Sequence, residues 1–399
     1  MAVDHRADEP VSPPSRLEVG IDVSAVPDRP AGAGRYIFEL VRALAQRDDV
    51  ALCCYARRED TARWREIAPS PHRILGATPD GRIGRIAYGE LALGQRARRT
   101  RPPIAVFHGP HYSLPRSRPA PEVVTVHDLT LIEHPEWHER SKTAFFGAAM
   151  RRSAGRAERI IVLSERDRLR FVARFAPRGE VVVIPHGVDH ARFRDSEPRT
   201  GADRQVLERR GVRAPYVLYL GTIEPRKNLP VLLEAFERLR LRHRDLRLVL
   251  AGTPGWGSGD FERRLALSSE REAVSLLGYV DDDDVPALLR AASAVAYPSS
   301  AEGFGLPVLE ALACGSPIVT TTSSVMADVA GGAALLARAG DAFDLGEAID
   351  EALAGGPTGA ARRAAGLVRA GEFTWERCAS THLETYRMAA AASPTPRLT

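Results

Sequence analysis

Short unbroken apolar runs alternate with segments whose apolar positions recur three and four residues apart, and this alternation restarts once along the chain. Residues 17–23 (LEVGIDV), 50–55, 105–108, 123–126, 160–164 and 181–185 read as buried strands, and 36–45 carries the helical spacing. Continuous runs mark strands covered on both faces, so the first half predicts a parallel, doubly wound sheet. Residues 195–201 (DSEPRTG) are polar with Pro and Gly and predict a linker. Beyond it, runs at 216–220, 246–251, 274–277, 294–297 and 318–321 predict a second sheet of the same kind. Leu232, Leu233, Phe236 and Leu239 form the core stripe of one of its helices, with Asn228 expected as its cap and Pro230 in its first turn. The predicted fold class is α/β: two doubly wound Rossmann-like domains facing a cleft, where ligands of such sheets bind.

Composition sharpens this picture. A chain of 399 residues has room for two domains, and 44% hydrophobic with 27% charged residues argues against a mainly disordered or collagen-like chain. No stretch approaches ~18 consecutive apolar residues, so no membrane-spanning helix is expected. Residues 1–16 lack the apolar core of a secretory signal and read as a disordered lead-in; residues 392–399 read as a flexible tail. Cys53, Cys54, Cys314 and Cys378 fit neither a disulfide framework nor a zinc ribbon, which predicts a cytoplasmic protein. The net charge of +4 hides an uneven distribution: between Arg82 and Arg118 eight arginines face one acid, Glu90. Such a face is a solvated surface or an attraction for an anionic membrane, which allows peripheral contact at the membrane's inner face. Nucleic acid is not expected as a partner, because the basic runs lack interleaved aromatics or a binding module.

Two segments concentrate the chemistry. In residues 216–230 (YVLYLGTIEPRKNLP) a strand ends at Gly221 and Thr222, a short loop carries Arg226 and Lys227, and a helix begins near Asn228. Two cations beside the free N–H groups of a helix start suit a diphosphate, although a solvated helix start has the same spacing. Lys227 is one of two lysines, with Lys142, among 55 basic residues; its compact ammonium suits a point contact with phosphate oxygens. In residues 299–310 (SSAEGFGLPVLE) Gly303 and Gly305 permit a tight turn and Pro307 suits a first helical turn. Glu302 then lies in the loop and Glu310 one turn into the helix. Carboxylates so placed either accept hydrogen bonds from sugar or ribose hydroxyls or merely complement the helix dipole.

Arg226-Lys227 followed by the E-x7-E spacing of Glu302 and Glu310 resembles the retaining family 4 glycosyltransferases of the GT-B fold, most of all mannosyltransferase-like members of polysaccharide assembly. Gly32-Ala-Gly-Arg-Tyr36, Phe107-His-Gly-Pro-His111, Val124-Thr-Val-His-Asp128, Val183-Ile-Pro-His-Gly-Val-Asp189 and Leu277-Gly-Tyr-Val280 extend the resemblance over about residues 17–388. It implies an acceptor-side domain at 17–195, completed by a crossover helix at about 375–388, and a donor domain at 202–374. It also implies the site. Arg226 and Lys227 would neutralise the donor's diphosphate, and His127 would contact the transferred sugar, with Asp128 shaping its loop. Glu302 and the amides of Gly303, Phe304, Gly305 and Leu306 would hold sugar and phosphates, and Glu310 the ribose. Gly32 and Gly34 would let backbone approach the diphosphate, and Gly221, Thr222 and Tyr279 would complete the donor site. His111 and Arg35 are acceptor-side candidates. Neither a metal nor a cofactor is implied.

The implied reaction moves a hexose from a nucleoside-diphosphate sugar, GDP-mannose being favoured and a dTDP- or UDP-sugar the alternative, to a saccharide or lipid-linked acceptor with retention. An epimerase of the same shape, or a non-catalytic sugar-nucleotide-binding protein, would share much of the site. Other readings carry less. Gly32-x-Gly34 could begin a nicotinamide fingerprint, but Ile37 stands at the third glycine. His108, His111, His127, His134 and His138 hint at a metal, yet Pro135 breaks any helix that would align the last two. The acidic run Asp281 to Asp284 is expected to cap a helix opening near Pro286.

Overall fold

A computed structural model describes residues 16–30, 32–196 and 201–392. Seven parallel strands form the first sheet: β1 Leu17–Asp22, β2 Val50–Arg57, β3 Arg73–Thr78, β4 Val106–Gly109, β5 Glu122–Val126, β6 Arg159–Val162 and β7 Glu180–Val183, in the order β3-β2-β1-β4-β5-β6-β7. Six parallel strands form the second: β8 Tyr216–Leu220, β9 Arg247–Ala251, β10 Val274–Gly278, β11 Ala294–Tyr297, β12 Ile318–Thr321 and β13 Ala334–Ala337, in the order β10-β9-β8-β11-β12-β13. The apolar runs are strands because both faces are covered; β2 is buried along all but its last residue. Periodicity missed β3 and β13, both sheet edges. The first is half-buried along most of its length and so carries no clean run, and the second is four residues of an Ala-rich stretch.

Each sheet reverses its strand order once, between β1 and β4 and between β8 and β11. The loops at the carboxyl ends of these strands are where a doubly wound sheet offers its crevice. They bring the segment through Gly32, the loop after β4, residues 221–227 and residues 299–305 to one place.

Several sequence expectations need correction. Asn228 precedes the helix Leu229–Arg240 in a left-handed conformation (φ 56°) and makes no side-chain cap, because a single helical turn, Pro225–Lys227, comes directly before it. The helix proposed to return to the first lobe spans Trp375–Ala392, longer than 375–388, and so takes Ala392 from the expected tail. The lead-in up to residue 15, linker residues 197–200 and the tail from residue 393 lie outside the described residues.

This crossover helix completes the first lobe. Cys378, Ala379, Leu383, Tyr386 and Ala389 are buried in one core with Leu40 and Leu44 of the first helix, Ala33–Ala45. A chain of buried hydrogen bonds fixes its register, and the direction of the chain follows from one group. The Cys378 carbonyl can only accept, so His382 Nδ1 donates to it (2.8 Å) and leaves Nε2 to accept from the Tyr36 hydroxyl (2.8 Å). Tyr36 in turn accepts from Thr125 (2.9 Å), Thr125 from His108 Nε2 (2.8 Å), and His108 Nδ1 from the Tyr386 hydroxyl (2.8 Å). Burial holds both imidazoles neutral, so no member of the chain is left unpaired.

The outgoing and returning segments run side by side. Val188 and Thr374 form a parallel bridge, and Gly187 lies so close to the Trp375 backbone that a Cβ there would collide with it. No helix among the described residues is long and apolar enough to cross a membrane.

Candidate active site

The cleft between the lobes holds a cavity of about 390 Å³. From the first lobe Gly32, Arg35, His111, His127 and Asp128 line it; from the second, Gly221, Thr222, Arg226, Lys227, Tyr279, Glu302, Gly303, Phe304, Gly305, Leu306 and Glu310 do. Gly34 does not. It lies inside the first helix, against Pro27, where a small residue is needed for packing rather than for a ligand.

Arg226 and Lys227 form the cationic floor. Arg226 pairs with Glu302 (2.7 Å) and Glu224 (2.7 Å) and donates to the Ala301 carbonyl (3.2 Å); Lys227 pairs with Glu302. Glu302 also accepts from the Ser299 hydroxyl (2.8 Å). It thus lines the cleft while engaged by both cations. Burial alone would raise its pKa, but Lys227 and Arg226 pull it down to about 2. Burial lowers the Lys227 pKa, with Glu302 opposing. The helix Leu306–Ala313 starts without a side-chain cap; Pro307 has no N–H and the Val308 and Leu309 amides bond the Gly305 carbonyl (2.9 and 3.3 Å), which leaves the Leu306 amide for an anion.

Glu310 stands in different surroundings. Burial raises its carboxyl to about 7, Arg35 and Arg192 offsetting part of this and Asp282 and Glu39 adding to it. His127 is 6% exposed; its Nε2–H donates to the Pro110 carbonyl (2.8 Å), which leaves Nδ1 as an acceptor. Burial lowers this imidazole to about 4, so it is neutral at physiological pH. Asp128 accepts from the Thr130 amide (3.0 Å) and hydroxyl (2.7 Å) and so fixes the turn behind His127. His111 lies 5.8 Å from His127, ring centre to ring centre.

The lobes meet at definite points. Gly303 sits against the His127 carbonyl, where any Cβ would overlap the oxygen. The Arg29 guanidinium lies over the Tyr279 ring (4.5 Å), and Arg35 pairs with Asp282. Arg192 reaches the same carboxylate (3.5 Å). The acidic run is therefore a ladder of ion pairs rather than a helix cap: Asp281 pairs with Arg210, and Asp284 with Arg209 and Arg210, while Asp284 makes no side-chain cap. Sequence reasoning missed Tyr112, His186, Arg192, Asp282, Gly252 and Thr253 as lining residues. His186 was within reach, since it lies in the VIPHGVD run; the others gain meaning only when the lobes face each other. Among the described residues no group of three or more His, Cys, Asp or Glu is arranged to hold a metal ion, and His134 stacks on Trp137 (3.8 Å) instead.

Residues 30–192 match the family described as Glycosyltransferase Family 4, and residues 205–366 that described as Glycosyl transferases group 1. The chain is 33% identical over 287 residues to the O-antigen chain mannosyltransferase B of Escherichia coli, which covers 71% of this chain and 74% of that one. It is 31% identical over 329 residues to a D-inositol 3-phosphate glycosyltransferase of Salinispora tropica, covering 72% and 66%. Among solved structures, WaaG, a glycosyltransferase involved in lipopolysaccharide biosynthesis, superposes with a TM-score of 0.71 at 18% identity over 92% of this chain and 99% of that one. Anabaena HepE in complex with UDP and glucose superposes with a TM-score of 0.71 at 18% identity, covering 93% and 100%.

Proposed function

Because the chain belongs to the family 4 glycosyltransferases and has their GT-B fold, we propose that it transfers a hexose from a nucleoside-diphosphate sugar to a saccharide or lipid-linked acceptor, with retention at the anomeric carbon. The observation that carries this reading is the Arg226–Lys227 floor in one cleft with an uncapped helix start. A diphosphate leaving group gains negative charge as the glycosidic bond breaks, and two cations plus an oriented amide stabilise that charge without reorganising. Glu302 holds the cations in place until the diphosphate arrives. Glu310 accepts from the ribose hydroxyls, and His127 Nδ1 accepts from a sugar hydroxyl. GDP-mannose is the favoured donor, on the strength of the mannosyltransferase relative; a UDP- or dTDP-sugar is the alternative.

Of the four described carboxylates that line the cleft, three are engaged and the fourth, Glu310, is the one this reading gives to the ribose, so none is assigned as a nucleophile. Glu302 is tied to two cations, Asp128 to Thr130 and Asp282 to Arg35. Departure and attack on the same face, with the leaving phosphate accepting the acceptor's proton, need no enzymatic carboxylate. The reaction requires no metal in this reading, since the cations take that role. A lipid-linked acceptor would give the basic first lobe a surface to dock on, and binding to anionic liposomes at low salt tests that.

The deciding test is a thermal-shift series with GDP, UDP, dTDP and ADP. A ligand at ~100 times its dissociation constant adds roughly 2.7 kcal/mol. One diphosphate is expected to raise Tm, with the rise lost in Arg226→Ala/Lys227→Ala. No rise with any of them, in folded protein, overturns the donor site. Product analysis with the winning sugar nucleotide and no acceptor separates transferase from epimerase.

A further inference from the structure

His186 is a histidine that nothing in the fold explains. It is 3% exposed, and neither ring nitrogen has a hydrogen-bond partner among the described residues. The ring is held between two others: Tyr36 stacks on it (centroids 4.8 Å apart, planes 17° apart) and Phe304 lies 4.9 Å away. Trp375 is 5.8 Å away, and His127 meets it edge-on at 6.2 Å. A phenyl ring would make the same stack without burying a donor and an acceptor. Leaving such groups unpaired is destabilising, so a buried imidazole without a protein partner calls for one from elsewhere.

The partner's location is constrained. His186 lines two cavities, one of about 550 Å³ with Ser164, Val325 and Cys378 and the cleft cavity, and of these the cleft is the one that His127, Lys227 and Glu302 also line. Burial, with His127 and His382 nearby, keeps the ring neutral, so it offers one N–H and one lone pair. It carries no charge with which to hold a phosphate. A neutral donor–acceptor pair matches a hydroxyl, which can give and take one hydrogen bond each.

We propose that His186 is a sugar-specificity residue, hydrogen-bonding one hydroxyl of the transferred hexose. This rests on the proposed donor site and deepens it. A site built to bind a hydroxyl discriminates against the analogue lacking it, because the buried polar group is then left unpaired.

The experiment compares kcat/KM for the parent sugar nucleotide and for its monodeoxy analogues in wild type, His186→Phe and His186→Asn. The phenyl variant keeps the stack. The amide variant keeps a donor and an acceptor, and circular dichroism and apo Tm establish that each is folded. In wild type one deoxy position is expected to cost about 10- to 100-fold. In His186→Phe that position is expected to cost less than about threefold, the parent having fallen to meet it, while His186→Asn keeps part of the discrimination. Binding of the free nucleoside diphosphate is expected to be the same in all three, which a merely structural histidine would not guarantee. Equal discrimination at every position in all three proteins, or a parallel loss of diphosphate binding in both variants, overturns the proposal. Failure of the wild type to bind any nucleoside diphosphate sinks the proposed function itself, before the variants are compared.

Discussion

Glu302 and Glu310 are eight residues apart and behave oppositely, because one is surrounded by cations and the other is mainly desolvated. Removing a charge from a buried pair strands its partners, which costs about 3–5 kcal/mol. Glu302→Gln is therefore expected to lower the denaturation midpoint of the free protein, while nucleoside diphosphate raises its Tm by more than it raises that of wild type. A smaller rise would show that Glu302 binds the ligand rather than the cations. For Glu310 the pH dependence follows from its pKa of about 7 in the folded protein against 4.5 when exposed. Between these values the folded state holds the extra proton, so this group's contribution to stability falls as pH rises. Binding runs the other way. Ribose hydroxyls need the anionic acceptor, so donor affinity is expected to rise by up to about tenfold from pH 6 to pH 8, with Glu310→Gln flattening the profile in a titration of Kd. That Arg226, Lys227, Glu302 and Glu310 share one cleft was legible because each pair is close in sequence and sits at a strand end or helix start. Arg192 was not, since its meaning depends on which lobe comes to face it.

At the scale of elements, most strands were legible because parallel sheets demand long apolar runs. Edges relax that demand, and β3 and β13 escaped for this reason. The polar chain through Tyr36 was also illegible, as Tyr36, His108, Thr125, His382 and Tyr386 come from four elements and show no common spacing. Its contribution can be measured. Tyr36→Phe leaves the Thr125 hydroxyl without its acceptor and His382 Nε2 without its donor, at about 1–3 kcal/mol. Chemical denaturation should register that loss, and hydrogen exchange should report faster opening within the crossover helix. Unchanged exchange there would mean that apolar packing alone holds the helix.

The whole molecule works only if the lobes approach as they do here. Gly303 is a close point of approach between them, since any side chain there meets the His127 carbonyl. Gly303→Ala is expected to retain the diphosphate-induced rise in Tm, which depends on the second lobe, but to lose turnover by about 100-fold, the scale of a ~1 Å misplacement of reacting groups. Small-angle scattering should find it more open than wild type. A variant that turns over normally would mean that the chemistry does not need this contact.

The crossover helix has a consequence for the order in which the protein can be made. The first lobe's strands are complete by β7, yet part of the core around its first helix comes from residues that emerge about 190 positions later. At ~5–20 residues per second a ribosome needs roughly 10–40 s to deliver them. Throughout that interval the Tyr36 hydroxyl keeps Thr125 but has no His382 to donate to, and the core that holds Leu40 and Leu44 lacks Cys378, Leu383 and Tyr386, a gap that invites chaperones. A ribosome stalled before Trp375 should therefore hold a first lobe that is protease-sensitive, and release of the last helix should protect both lobes at once.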